Sequence, residues 1–452
     1  MRDALNTALK ELIERTLRKE VYWKLDVPFV KKYPWGPILK PEPGTWYNGS
    51  VGNPMVAVDP ETEKYVMVFA GWDPQGNGPK RFGVAESEDG LNWKVVSKNS
   101  PVLSPDMTDL EQDLEGGCLL YDAVNEYWYL YYTMIASDGK YRTGVARSKD
   151  LMNWEKLGVV IDVGGAGEFD ELWAGEFVGF KTGTGGAIQG IYTAKDAGGN
   201  KTFGKVTLSS WTTLQKKKGP VFRPTANFWD HELELHHVSQ VGDYKVLLYE
   251  AEGGHVDVQH RFWKIGIAFS KNWLLWGRAW QPLISEEAEW YAGWKAGTWY
   301  GTVHPYLVKW RDKYLLYYTE VKKAGNRWWV GNKINVALVN PVALLPSTYE
   351  LYWDIWVNES ITTDGKESNA ITTDWPCDTT LYLFSDQDGT LEILVDPINV
   401  KGASDFRTFD TISVTANKLT KYYISYRFRR LKLKFTPVSN AIVSAFAITS
   451  PR

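Results

Sequence analysis

The chain has 452 residues and a formal charge of −3. That length exceeds what one ordinary core accommodates, so two units or one large unit with an appendage are expected. The near-neutral balance excludes a nucleic-acid binder resting on phosphate electrostatics, and no apolar run approaches the roughly 18 residues that span a bilayer.

Residues 3–20 read as a short amphipathic helix. Leu5, Leu9, Leu12, Ile13 and Leu17 follow helical spacing, and Lys10, Glu11, Glu14, Arg15 and Arg18 fill the other face. The stretch lacks the unbroken apolar core of a signal peptide. With its lead-in it occupies 1–40, either packed on the body of the protein or serving as an anchor for a homo-oligomer or particle.

A repeat then begins. "FGVAES" (82–87), "TGVARS" (143–148), "FGKVTLS" (203–209), "IGIAFS" (265–270) and, more faintly, "INVALV" (334–339) restate one strand, with Gly83, Gly144, Gly204 and Gly266 about 60 residues apart. Trp93, Trp154 and Trp276 follow the serine in three copies. A second strand precedes each one, as in "EYWYLYYT" from Glu126 and "DYKVLLYEAE" from Asp243, and a third precedes that, as in "GEFVGF" and "HPYLVKW". Antiparallel strands at a fixed period signify a β-propeller, so 41–346 is expected to form five blades. The glycine marks a place where a larger side chain does not fit, and the Ser-Asp turn with its Trp seals each blade against its neighbour. The 23 Trp and 25 Tyr suit such aromatic seams, or a surface that stacks on sugar rings.

After "NPVALLPSTYE" the strands shorten, and "LKLKF" alternates strictly. Residues 347–452 therefore read as a β-sandwich, with Lys432 and Lys434 on its solvated face. Cys118 and Cys377 are too few and too far apart for a disulfide framework and read as free, buried thiols. The fold class expected is all-β: a five-bladed propeller followed by a β-sandwich, with the helix in front.

Five blades and "GVARSKDLMNW" resemble the five-bladed propeller glycoside hydrolases, families 43 and 32 and their relatives, over roughly residues 40–345. The C-terminal part resembles accessory domains of such enzymes and, more weakly, small virion-surface domains. The resemblance implies a funnel at the start of the inner strands, with a base in blade one, a carboxylate tuning the acid in blade two and the acid in blade three. In blade one neither position carries a carboxylate: Asn53 and Gly49 stand there. Blade two offers Asp113 and Glu115, and blade three offers Glu176 as the acid, with Asp170 and Glu171 near. In blade four Glu232, Glu234 and His236 share one strand face, opposite His231, Leu233, Leu235 and His237. In blade five His304 matches an axial histidine that holds a central ion or water in some relatives, so a central Ca²⁺ near His304 is compatible although no cofactor is required. Trp290, Trp294 and Trp299 are candidates for a sugar platform, and Asn53, His236 and His304 for further sugar contacts. "HELELHH" is not H-E-x-x-H and its histidines split faces, so no metal site is read there. "GNKTFGK" lacks the Ser/Thr of a phosphate loop.

The expected function is recognition of a poly- or oligosaccharide by a propeller of glycoside-hydrolase type. If it hydrolyses a glycosidic bond, the base comes from elsewhere, with Glu232, Asp230 and Asp73 as candidates. The alternative is a non-catalytic attachment protein on a virion or cell surface, assembled through the helix or the sandwich and binding glycans by avidity. Either reading implies an extracellular or surface location, although no signal peptide is visible.

Overall fold

A computed structural model of the protein describes residues 29–73, 78–182, 187–224, 229–230, 232–252, 263–284, 298–324, 331–372, 375, 377–397, 406–425 and 428–451. The amphipathic 3–20 segment, Trp290 and Trp294 lie outside the described residues. No helix among those described is long and apolar enough to cross a membrane.

After β1 (Val30–Lys32) come four antiparallel four-stranded groups. They are β2 (Ser50–Val58) to β5 (Lys94–Val95), with β3 Tyr65–Trp72 and β4 Arg81–Ser87; β6 (Asp113–Asp122) to β9 (Glu155–Ile161), with β7 Tyr127–Ile135 and β8 Tyr141–Ser148; β10 (Trp173–Lys181) to β13 (Leu214–Phe222), with β11 Ile188–Lys195 and β12 Lys201–Leu208; and β14 (Glu232–Val241) to β17 (Gly277–Ala279), with β15 Tyr244–Glu252 and β16 Trp263–Ser270. A fifth group holds β18 (Thr298–Trp310), β19 (Lys313–Ala324) and β20 (Lys333–Val339), and β1 pairs with β20 as its fourth strand, Val30 opposite Val339. The first strands touch in cyclic order, β2 to β6 to β10 to β14 to β18, and β18 returns to β2. The arrangement is propeller-like. Residues 30–32, placed outside the repeat by sequence, cover the otherwise open edge of β20.

The recurrent glycine has a visible cause. Gly83, Gly144, Gly204 and Gly266 lie opposite Phe69, Tyr132, Tyr192 and Tyr249 on the neighbouring strand. A Cβ on Gly266 would meet Tyr249 ring atoms at 2.3–2.7 Å. Gly266→Ala is therefore expected to lower stability by about 1–3 kcal/mol, read by denaturant unfolding, since a buried ring has nowhere to retreat. The turn that follows is equally specified. Ser148 Oγ meets Asp150 Oδ1 at 3.0 Å, the Asp150 carboxylate accepts the Met152 and Asn153 amides, and Trp154 Nε1 donates to Leu151 O. Ser87-Asp89-Trp93 and Ser270-Asn272-Trp276 repeat the motif. Trp211 stacks on Tyr129 of the preceding group, with ring centroids 4.5 Å apart.

The C-terminal part forms two sheets. β21 (Leu351–Ile361), β22 (Lys366–Glu367), β23 (Ile371–Thr372), β24 (Cys377–Ser385), β25 (Gly389–Pro397), β26 (Arg407–Val414), β27 (Thr420–Ile424), β28 (Phe428–Pro437) and β29 (Ala441–Pro451) pair as β21-β29-β24-β27 and as β22/β23-β28-β25-β26. Leu431, Leu433 and Phe435 are buried between the sheets, while Lys432 and Lys434 reach solvent and pair with Glu367 and Glu392. Cys118 and Cys377 are buried and form no disulfide among the described residues. The sequence reading divides the chain after 346, but neither sheet nor core divides there. β21 pairs with β17, Gly277 opposite Trp353, and one apolar cluster runs from Ile267 and Leu316 through Trp353 to Phe435. Arg278 sits at this seam, 3% exposed, with Asp230 Oδ2 at 2.8 Å and Asp354 Oδ2 at 2.6 Å.

Candidate active site

Each first strand carries a β-bulge a few residues from its start. In four of them the extra residue turns a side chain toward the common axis, while in β6 it is Gly116. Asn53, Glu176 and His304 adopt left-handed backbone there, with φ of 49°, 50° and 54°. Such strain persists only where surrounding contacts hold it. The holding contacts repeat around the ring. Asn53 N donates to Thr319 Oγ1 (3.2 Å), Glu176 N to Thr133 Oγ1 (2.7 Å), Leu235 N to Thr193 Oγ1 (3.0 Å) and His304 N to Glu250 Oε2 (2.6 Å), each across to the second strand of the preceding group. In β14 the bulge falls one residue later, and His236 supplies the axial side chain.

The axis is buried and polar. Glu176 Oε2 accepts from Thr193 Oγ1 at 2.7 Å, while its Oε1 has no hydrogen-bond partner. Burial, then the carboxyl of Glu234, pushes the Glu176 pKa well up. Burial likewise raises Glu250 to about 8 and lowers His236 and His304. His236 Nε2 lies 3.1 Å from Glu250 Oε2.

Above the bulges the funnel mouth is charged and aromatic. Lys80 Nζ stands 3.2 Å from Glu115 Oε1 and 3.5 Å from Asp113 Oδ2. Lys201 Nζ stands 2.9 Å from Glu232 Oε1 and also pairs with Glu234. Burial alone would lower both lysines, yet their carboxylates win and raise them. Glu115 and Glu234 occupy the same position of the repeat, each opposite the residue that clasps the next blade, Thr133 and Glu250. Tyr141 stacks on Trp173 at 4.1 Å, and Lys201 lies over Trp173 and Trp263 at 5.1 and 6.0 Å. Burial, then Glu115, pushes the Tyr141 hydroxyl up to about 12, with smaller effects from Glu234 and Glu176, so the mouth is one electrostatic unit. Carboxyls such as Glu115 and Glu234, set among aromatic rings, can donate a proton to a glycosidic oxygen and activate water.

The sequence-derived candidates divide. Asp113, Glu115 and Glu232 reach the mouth. Glu176, placed by sequence as the acid, is 1% exposed and forms the floor instead. Asn53, His236 and His304, read as sugar contacts, are buried at the bulges like Glu176. Asp230 is held by Arg278 at the C-terminal seam and cannot serve as the base. Asp73 directly follows β3, and Trp299 lies on β18 with its side chain outside the described residues. Sequence reasoning missed Glu250, Lys80, Tyr141, Lys201 and Trp263. The repeat contained both signals: three residues before each glycine stand Lys80, Tyr141, Lys201 and Trp263, and where other copies read "YYT" or "IYT" the fourth reads "LYE".

No family model matches the chain. An 88-residue segment is 36% identical to 1,2-beta-oligomannan phosphorylase of Thermoanaerobacter sp. (strain X514), which is 18% of this chain and 27% of that protein. The match thus spans about a quarter of that relative's length. A glycosidase structure from Bacteroides thetaiotaomicron aligns over 70% of this chain and 97% of its own, with a TM-score of 0.54 and 19% identity. A GH130-family structure, from a family of mannoside phosphorylases that contains hydrolases of β-1,2-mannosidic linkages in Candida mannan, aligns over 70% and 96%, with a TM-score of 0.53 and 19% identity. The chain shares the propeller-like fold of these glycosidases.

Proposed function

We propose that the protein is a carbohydrate-active enzyme that cleaves a glycosidic bond at the mouth of a five-bladed propeller, with Glu115 and Glu234 as the carboxyl pair. The observation that carries this reading is the mouth itself, where two carboxyls at one repeat position on blades two and four flank a Tyr141–Trp173 wall. One carboxyl protonates the leaving oxygen while the other activates the attacking water. Lys80 and Lys201 fix their rotamers, Asp113 and Glu232 complete the lysines' partners, and the rings stack on the apolar face of a sugar. The names of the relatives favour a β-1,2-linked mannooligosaccharide as substrate. Hydrolysis is favoured over phosphorolysis because each mouth lysine is already held between two carboxylates, leaving neither for a phosphate dianion. The attachment alternative draws no support from the relatives named above.

The test is incubation with β-1,2-mannobiose, longer β-1,2-mannan and aryl mannosides, with and without inorganic phosphate. Free mannose released at a phosphate-independent rate is expected. Mannose 1-phosphate formed only with phosphate would replace hydrolysis by phosphorolysis, and saturable binding without turnover would overturn the enzyme reading.

A further inference from the structure

The resemblance to propeller glycosidases implies a Ca²⁺ near His304, and the residues around that histidine decide whether they fit it. Donor atoms of His236, Glu250 and His304 lie within 4.8 Å of one another, and all three side chains are buried. They come from β14, β15 and β18, so no strand carries the set by itself. Ca²⁺ takes six to eight oxygen ligands. Here two of the three donors are imidazole nitrogens, a set that suits first-row divalent transition metals instead.

We infer that the propeller axis binds one divalent transition-metal ion of the Zn²⁺ class through His236, Glu250 and His304. Two further observations point into the site. Glu250 Oε2 is engaged by the His304 amide, while Oε1, wholly buried, has no hydrogen-bond partner. Asn53, 2% exposed, has neither its amide nitrogen nor its oxygen partnered, and with Gly116, His236 and His304 it lines a cavity of about 10 Å³, room for one water-sized occupant. The outer support a metal-binding histidine needs is present too. Thr319 Oγ1 lies 3.0 Å from His304 Nδ1 and fixes the ring. The ion ties blades four and five together at the axis, beneath the mouth. The inference does not depend on the glycosidase reading.

The experiment uses the full chain without a histidine tag, stripped with a chelator and titrated separately with Zn²⁺, Co²⁺ and Ca²⁺. One equivalent of Zn²⁺ or Co²⁺ is expected, with a rise in Tm and with visible ligand-field bands for Co²⁺; Ca²⁺ at equal concentration leaves Tm unchanged. His236→Gln and Glu250→Gln each weaken binding tenfold or more. His237→Gln, which opens on a separate cavity below, keeps it. Should the site variants fold poorly, Cu²⁺ loaded into the unmodified protein reports directly through nitrogen hyperfine structure from two imidazoles in its EPR spectrum. Tighter binding of Ca²⁺ than Zn²⁺, no bound metal, or Zn²⁺ binding undiminished in folded His236→Gln each overturns the inference.

Discussion

Glu115→Gln and Glu234→Gln are each expected to lower kcat by about 10²–10⁴-fold, the usual worth of a positioned acid or base. Glutamine keeps the shape of the side chain and a hydrogen-bonding oxygen toward Lys80 or Lys201, so near-UV circular dichroism should stay unchanged. The two variants separate by leaving group. An aryl mannoside whose phenol departs without protonation restores turnover to the variant lacking the acid and not to the one lacking the base. Steady-state kinetics on alkyl and activated aryl substrates therefore assigns both roles. Full activity in either variant would remove that residue from the mechanism.

Arg278→Met is expected to cost about 3–5 kcal/mol of stability, among the largest single losses available in this fold. The guanidinium is bonded to Asp230 and Asp354 and lies 4.2 Å over the Phe222 ring. Asp230 is wholly buried, so removing its partner strands a carboxylate in the interior. The penalty for that unpaired charge, more than the lost attraction, sets the magnitude. Arg278→Met combined with Asp230→Asn should recover most of the loss. Denaturant unfolding of the two variants decides it, and a cost below about 1 kcal/mol in the single variant would contradict the buried-pair account.

Much of the blade was legible in sequence because its determinants are local. A glycine under a ring, a serine and an aspartate two residues apart and a Trp closing the turn each act within one repeat, so their spacing survives as a pattern. Asp113 and Glu115 were legible for a similar reason, standing just before an apolar strand. What the sequence hid is made between repeats. Glu250 looks like a strand-end charge until the register shows it holding the His304 amide 54 residues on. Lys80 and Lys201 gain meaning only from carboxylates on the following inner strand, more than thirty residues on. The burial of Glu176 was hidden because a match to the start of a strand cannot reveal a bulge, and one extra residue changes which side chains reach the axis. The contact between His236 and His304 was hidden because each belongs to a different blade.

The pairing of β17 with β21 also bears on how the molecule comes apart. β17 is three residues long, and with Asp230 it holds Arg278 against β21. A gene fragment ending at residue 346 would lay bare Trp353's socket over Gly277 and an unpaired strand edge, an invitation to aggregation. The C-terminal unit is therefore no detachable module. Heating should melt it and the neighbouring blades in one calorimetric transition, and recombination that shuffles intact domains would find no clean junction here.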